Sequence, residues 1–174
     1  MPNQEEFDSG ANKANAIGWA TYDGSAYTSV SPLTIASTKT QITIDGLGGS
    51  TNTDDLPDGV SDYWNPATNR IIPTAVGDAF DVRVGFKAKS SAVNAYFDIT
   101  FDIGTPDGIV IAGETKMCPK GAGVETQYSV DIPIYALATF LANGCAIHFD
   151  TTASAFTLSV YDITIFLKQD YKRY

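Results

Sequence analysis

The sequence predicts an all-β fold, an antiparallel jelly-roll β-sandwich of about eight to ten strands with one short helical turn. Three observations predict it. Apolar residues recur at every second position, Gly, Pro, Asn, Asp, Ser and Thr fill the segments between, and no helical pattern of ten or more residues separates one strand from the next.

The alternation is clearest in three segments. Phe80, Val82, Val84 and Phe86 share one face against Asp81, Arg83 and Lys87. Phe97, Ile99, Phe101 and Ile103 do the same against Asp98, Thr100 and Asp102, as do Tyr128, Val130, Ile132 and Ile134 against Gln127, Ser129 and Asp131. Each pattern is that of a strand with one buried face. Further strands are expected at 17–22, 33–36, 40–45, 109–112, 145–150 and 155–167. In the last, the apolar phase shifts from Phe156, Leu158 and Val160 to Tyr161, Ile163, Ile165 and Leu167, which predicts a β-bulge near Val160 and Tyr161. Only 136–142 has helical character, closed by Asn143-Gly144. Residues 46–73 form a loop longer than a plain connection needs.

These elements divide the chain into an extended arm at 1–16, a sandwich at 17–168 and a basic, aromatic tail at 169–174. With 174 residues, 44% of them hydrophobic and 18% charged, the chain is long and apolar enough to fold without metal or disulfide. No apolar run reaches the ~20 residues of a membrane-spanning helix, and the polar, acidic start shows no export signal. Cys118 and Cys145 are expected as reduced packing residues. A net charge of −9, with Asp45, Asp54, Asp55, Asp58 and Asp62 in a stretch free of Lys and Arg, argues against nucleic-acid binding.

Chemistry finds little purchase. The single histidine, His148, alternates away from Ile147 and Phe149, and no Gly-x-Ser-x-Gly elbow supplies a nucleophile, so it is expected as a solvent-facing or interface residue. The aspartates of the 46–73 loop follow no calcium-loop spacing, and the cysteines lack paired zinc spacing, so neither metal nor cofactor is expected. Asp98 and Asp102 lie four residues apart on one strand face, roughly 13 Å by strand rise, too far for paired glycosidase carboxylates. Surfaces remain. Phe166 is expected to face outward from the final strand as a subunit contact, with core burial the competing reading, and Tyr96 and Tyr161 follow the same logic.

The motifs Gly18-Trp19-Ala20-Thr21-Tyr22-Asp23, Ser31-Pro32-Leu33-Thr34, Leu56-Pro57-Asp58-Gly59-Val60, Trp64-Asn65 and Gly77-Asp78-Ala79-Phe80-Asp81-Val82-Arg83-Val84 occur in an order that resembles small tailed-bacteriophage virion proteins. Those proteins in turn resemble the trimeric jelly rolls of tumour necrosis factor and complement globular heads, and the likeness spans most of 17–167. It implies a non-enzymatic capsid decoration or cement protein, a homotrimer that binds the major capsid protein on the outer surface of the virion and is assembled in the host cytoplasm. A short arm before the first strand suits direct docking on a shell better than a fibre. The expected capsid and subunit contacts are Phe7, Trp19, Tyr96, Tyr161, Phe166, Tyr171, Lys172, Arg173 and Tyr174. Three alternatives stay open: a host-receptor-binding fibre tip, a carbohydrate-binding module using Tyr63, Trp64 and Trp19, and a small jelly-roll enzyme.

Overall fold

A computed structural model describes residues 17–36, 38–118, 121–151 and 156–171, with Tyr171 described by its backbone alone. Among the described residues, eleven strands and one helix follow in order: β1 (Gly18–Asp23), β2 (Leu33–Ile35), β3 (Thr40–Gln41), β4 (Trp64–Asn65), β5 (Arg70–Ile71), β6 (Ala79–Ser90), β7 (Ala95–Asp102), β8 (Val110–Cys118), β9 (Thr126–Tyr135), α1 (Ala138–Asn143), β10 (Cys145–Asp150) and β11 (Leu158–Tyr171). The first sheet runs β1-β11-β6-β9, with β2 also on β11, and the second runs β4-β5-β10-β7-β8, with β3 on β10. Every pairing is antiparallel, and the chain is a jelly-roll β-sandwich as expected.

The alternation in β6, β7 and β10 decides where the core lies. Phe80, Val82, Val84 and Phe86 from the first sheet meet Phe97, Ile99, Phe101, Ile147 and Phe149 from the second, all at most 2% exposed. Phe86 packs edge-on against Phe149 at 4.9 Å and Phe97 at 5.9 Å between ring centroids. Such pairs add ~0.5–1.5 kcal/mol each beyond the apolar area they bury.

Three differences from the sequence expectation have physical causes. β8 continues six residues past 112, to Cys118, where no alternation marks it. It is an edge strand exposed on both faces, held by backbone pairing from Ala95↔Cys118 to Asp102↔Val110, so hydrophobic period carries no signal there. β11 has its bulge at Asp162, one residue beyond the expected place, between the pairs Tyr161↔Lys87 and Thr164↔Gly85. Asp162 takes φ 50°, which a short polar side chain tolerates. Finally, β11 runs past the expected boundary at 168 to Tyr171, and Gln169 is fully buried.

The 46–73 loop has a definite task. Trp19 N–H donates to Asp55 O at 3.0 Å, Thr21 N–H to Asn52 O at 2.8 Å, and Asn52 N–H to Thr21 O at 2.9 Å. The loop therefore covers the free edge of β1, the protection that an unpaired sheet edge requires. Gly18 permits this approach, since a Cβ there would lie 2.4 Å from Asp55 O and 2.7 Å from Pro57 Cδ.

Candidate assembly surface

The register brings Thr21, Phe166, Arg83 and Asp131 into one row across β1, β11, β6 and β9 on the outer face of the first sheet. The bulge at Asp162 is what sets Phe166 on this face while Ile165 and Leu167 stay in the core. Trp19, one pair along, lays its ring 5.7 Å from that of Phe166, tilted by 31°. The Arg83 guanidinium sits over the Phe166 ring at 5.9 Å, and its Nε donates to Asp131 Oδ1 at 2.6 Å. That ion pair is 60% exposed on both sides, so it orients Arg83 more than it stabilises the fold. Phe166, Arg83, Asp131, Pro133 and Lys168 border a shallow depression of about 410 Å³.

Pro133 also belongs to a second surface, the open flank between β8 and β9. At one end of this flank the two strands are joined by the Tyr128 hydroxyl, which donates to Met117 O at 3.1 Å. At the other end they part around an apolar cleft of about 280 Å³, floored by Ile103, Ile134 and Phe140 and walled by Ile111, Pro133, Tyr135 and Leu137. Ile111 is the bulged residue of β8, between the pairs Phe101↔Ala112 and Asp102↔Val110. Ile109, Val110, Tyr135 and Leu137 are each 51–60% exposed around it. A proline on this edge removes a donor that a foreign strand would need.

A polar cluster backs the same flank. The segment between β7 and β8 folds over the outer face of the second sheet and is held by Asp102, whose fully buried carboxylate accepts from Gly104 N–H (2.8 Å), Gly108 N–H (2.8 Å), Ile109 N–H (2.9 Å) and Lys39 Nζ (2.5 Å). Burial alone would raise the Asp102 pKa, but Lys39 and these three amides hold it at about 2. Asp107, on the same segment, accepts from Arg70 Nη2 at 2.6 Å and lies 2.8 Å from His148 Nε2. His148 is thus 2% exposed, not the solvent-facing or interface residue expected from alternation, because 103–109 covers it. Burial, with the Lys39 charge beside it, pushes its pKa down, although Asp107 pulls the other way.

The expected contacts separate accordingly. Trp19 and Phe166 come together, with Phe166 outward. Tyr96, 52% exposed, lies opposite Met117 on the other sheet. Tyr161 is 1% exposed, under the Lys89 ammonium and bonded to Glu125 through its hydroxyl, so its own chain covers it and it offers no subunit contact. Phe7, Lys172, Arg173, Tyr174 and the Tyr171 side chain lie outside the described residues. Tyr63 and Trp64, the expected glycan contacts, are core residues at 0% and 1% exposure. Trp64 Nε1 donates to Ile44 O at 3.0 Å and Tyr63 Oη to Gln169 Oε1 at 2.7 Å, leaving neither ring a face for a sugar. Asp45 and Asp62 are engaged by Ser25, Leu47, Tyr22 and Trp64, and among the described residues no group of three or more His, Cys, Asp or Glu could hold a metal ion.

Sequence reading missed the cleft. Its signals were the unbroken run Ile109-Val110-Ile111, apolar without alternation, and Leu137 and Leu141 on the exposed side of a helix too short to bury them.

No family model matches the chain, and no curated protein matches it. Among solved structures, Eiger TNF from S. frugiperda superposes with a TM-score of 0.51 at 9% identity over 91% of this chain and 96% of that one. The globular domain of zebrafish complement 1qA protein gives 0.48 at 13% identity, covering 90% and 99%, and the PRD1 vertex protein P5 gives 0.41 at 12%, covering 86% and 71%. The likeness to the S. frugiperda protein agrees with the jelly-roll sandwich described above.

Proposed function

We propose that the chain is a non-enzymatic structural protein that assembles as a homotrimer and decorates the outer surface of a phage head, bridging neighbouring capsid subunits as a cement. One observation carries the assembly: the apolar cleft and the Trp19–Phe166 face are different surfaces that adjoin at Pro133. Two dissimilar adjoining patches favour a heterologous contact, cleft of one copy against face of the next, which closes into a ring when the rotation permits. The sequence resemblance to trimeric jelly rolls supports a ring of three, and the resemblance of the motif order to phage virion proteins supports the virion role.

Sedimentation equilibrium of the purified chain is the first test, with a mass of three times 18.6 kDa expected. Mixing with phage heads that lack the protein, then pelleting, follows, with stoichiometric recovery expected in the pellet. A monomer at all concentrations overturns the assembly, and a trimer that stays in the supernatant overturns the virion role.

A further inference from the structure

We propose that the segment Gly104–Ile109 is an acid-released latch on the assembly cleft, with His148 as its trigger. What the latch controls rests on the assembly reading above; the latch itself rests on the geometry of this one chain.

The latch has two fastenings. Asp102 grips it from below through three backbone amides, and Asp107 ties its crest to His148 on β10 and Arg70 on β5. Arg70 Nη2 also donates to Gly104 O at 2.9 Å, so one guanidinium holds both the start and the crest of the segment. Both its flanks reach the cleft: Ile103, just before it, lies in the floor and Ile111, just after it, in the wall, and Ile103 N–H donates to Ile109 O at 2.9 Å. Loosening the segment therefore moves that wall.

His148 is built to feel protons here. Neutral, its Nε2–H donates to Asp107 and its Nδ1 lone pair needs little. Nδ1 is buried with no partner, and so is Oγ1 of Thr100, its register partner on β7. Protonation would put a second N–H at Nδ1, a buried atom with no acceptor in place. The charged groups facing it are Asp107 from the latch, Asp102 from β7, Lys39 from the segment before β3, and Arg70 from β5; two cations already offset the two carboxylates. Gln41, its partner on β3, is uncharged and is used on Thr68 O and Asn69 O. An imidazolium thus gains more from water than from this enclosure, and opening the latch is how water reaches it.

The test is hydrogen exchange of the Gly104, Gly108 and Ile109 amides in the full chain, corrected for intrinsic pH dependence, at about pH 7.5 and pH 5. Opening is expected to increase up to about thirtyfold at pH 5, the charged-to-neutral ratio of an imidazole of ordinary pKa 6.5 at that pH, while core amides of β6 stay protected. In His148→Gln, which keeps a donor for Asp107 and cannot titrate, the response should vanish. Unchanged protection in the wild type, or the same acid response in His148→Gln, overturns the latch. Should His148→Gln fail to fold, the NMR titration of the single imidazole decides in the wild type: its midpoint must coincide with that of latch opening, and a separate midpoint overturns the proposal. Sedimentation at both pH values keeps the two readings apart. A trimer that dissociates at pH 5 in the wild type alone supports the coupling, a trimer indifferent to pH overturns it, and a monomer at both values overturns the assembly reading while exchange still judges the latch.

Discussion

Tyr63 and Gln169, 106 residues apart in the chain, meet in the core, where the tyrosine hydroxyl donates to Gln169 Oε1 at 2.7 Å. The bond joins the residue that leads into β4 to the C-terminal end of β11. It explains at once why Tyr63 is unavailable to a ligand and why the sandwich extends beyond residue 168. Tyr63→Phe keeps the ring and removes the bond, and thermal or urea unfolding should show a loss of about 1–2 kcal/mol.

Trp64→Ala should cost about 3–5 kcal/mol, the usual penalty for emptying a large aromatic site in a core. Trp64 is 1% exposed, so acrylamide should quench Trp19 and spare Trp64 in the native protein. Quenching of both would contradict the burial of Trp64.

Leu137→Asp places a charge at a side chain 60% exposed on the cleft. Monomer stability should change by less than about 0.5 kcal/mol, while the trimer association constant falls at least tenfold by sedimentation velocity. Phe166→Ser should weaken association from the opposite side of the same contact. Full-strength trimers from both variants would remove the cleft-to-face arrangement.

Asp102 should give acid unfolding a recognisable component. Its folded pKa of about 2 lies below its ordinary 3.8, so its stabilisation is complete above pH 3.8 and is lost as pH falls through 2. The lost share is roughly 2 kcal/mol. Urea unfolding followed from about pH 5 to pH 2 should show it, and Asp102→Asn, less stable by about 3 kcal/mol at pH 5 from the broken buried network, should lack that part of the slope, so that its gap to the wild type narrows towards pH 2.

Gly18→Ala tests the covering of β1. The added Cβ would overlap Asp55 O, a backbone atom that cannot rotate away, and a loss of about 1–3 kcal/mol is expected. Faster hydrogen exchange at Trp19 and Thr21 should accompany it.

The sandwich was legible because a sheet with one wet face must alternate, and β6, β9 and β7 as far as Phe101 obey that rule. The bulge of β11 was legible too, since the apolar phase of Phe156, Leu158 and Val160 gives way to that of Ile163, Ile165 and Leu167, and only an extra residue between them keeps both sets in the core. His148 was misread because alternation reports which face a residue takes, and only the long-range fold reveals that 103–109 lies over that face. Trp64 was misread for a related reason: a tryptophan within a polar loop looks like a surface ring until the loop closes on the core. The cleft escaped because it is made by two edges, and edges leave no period in a sequence.

The bond pairs Trp19–Asp55 and Thr21–Asn52 have a consequence for the chain in quantity. Along that margin the main chain is already spoken for, so a neighbour must be recognised there by the shape and charge of its side chains, which differ between proteins, instead of by a ladder that any extended peptide can join. Copies of the chain can crowd along that border without fusing into fibrils there.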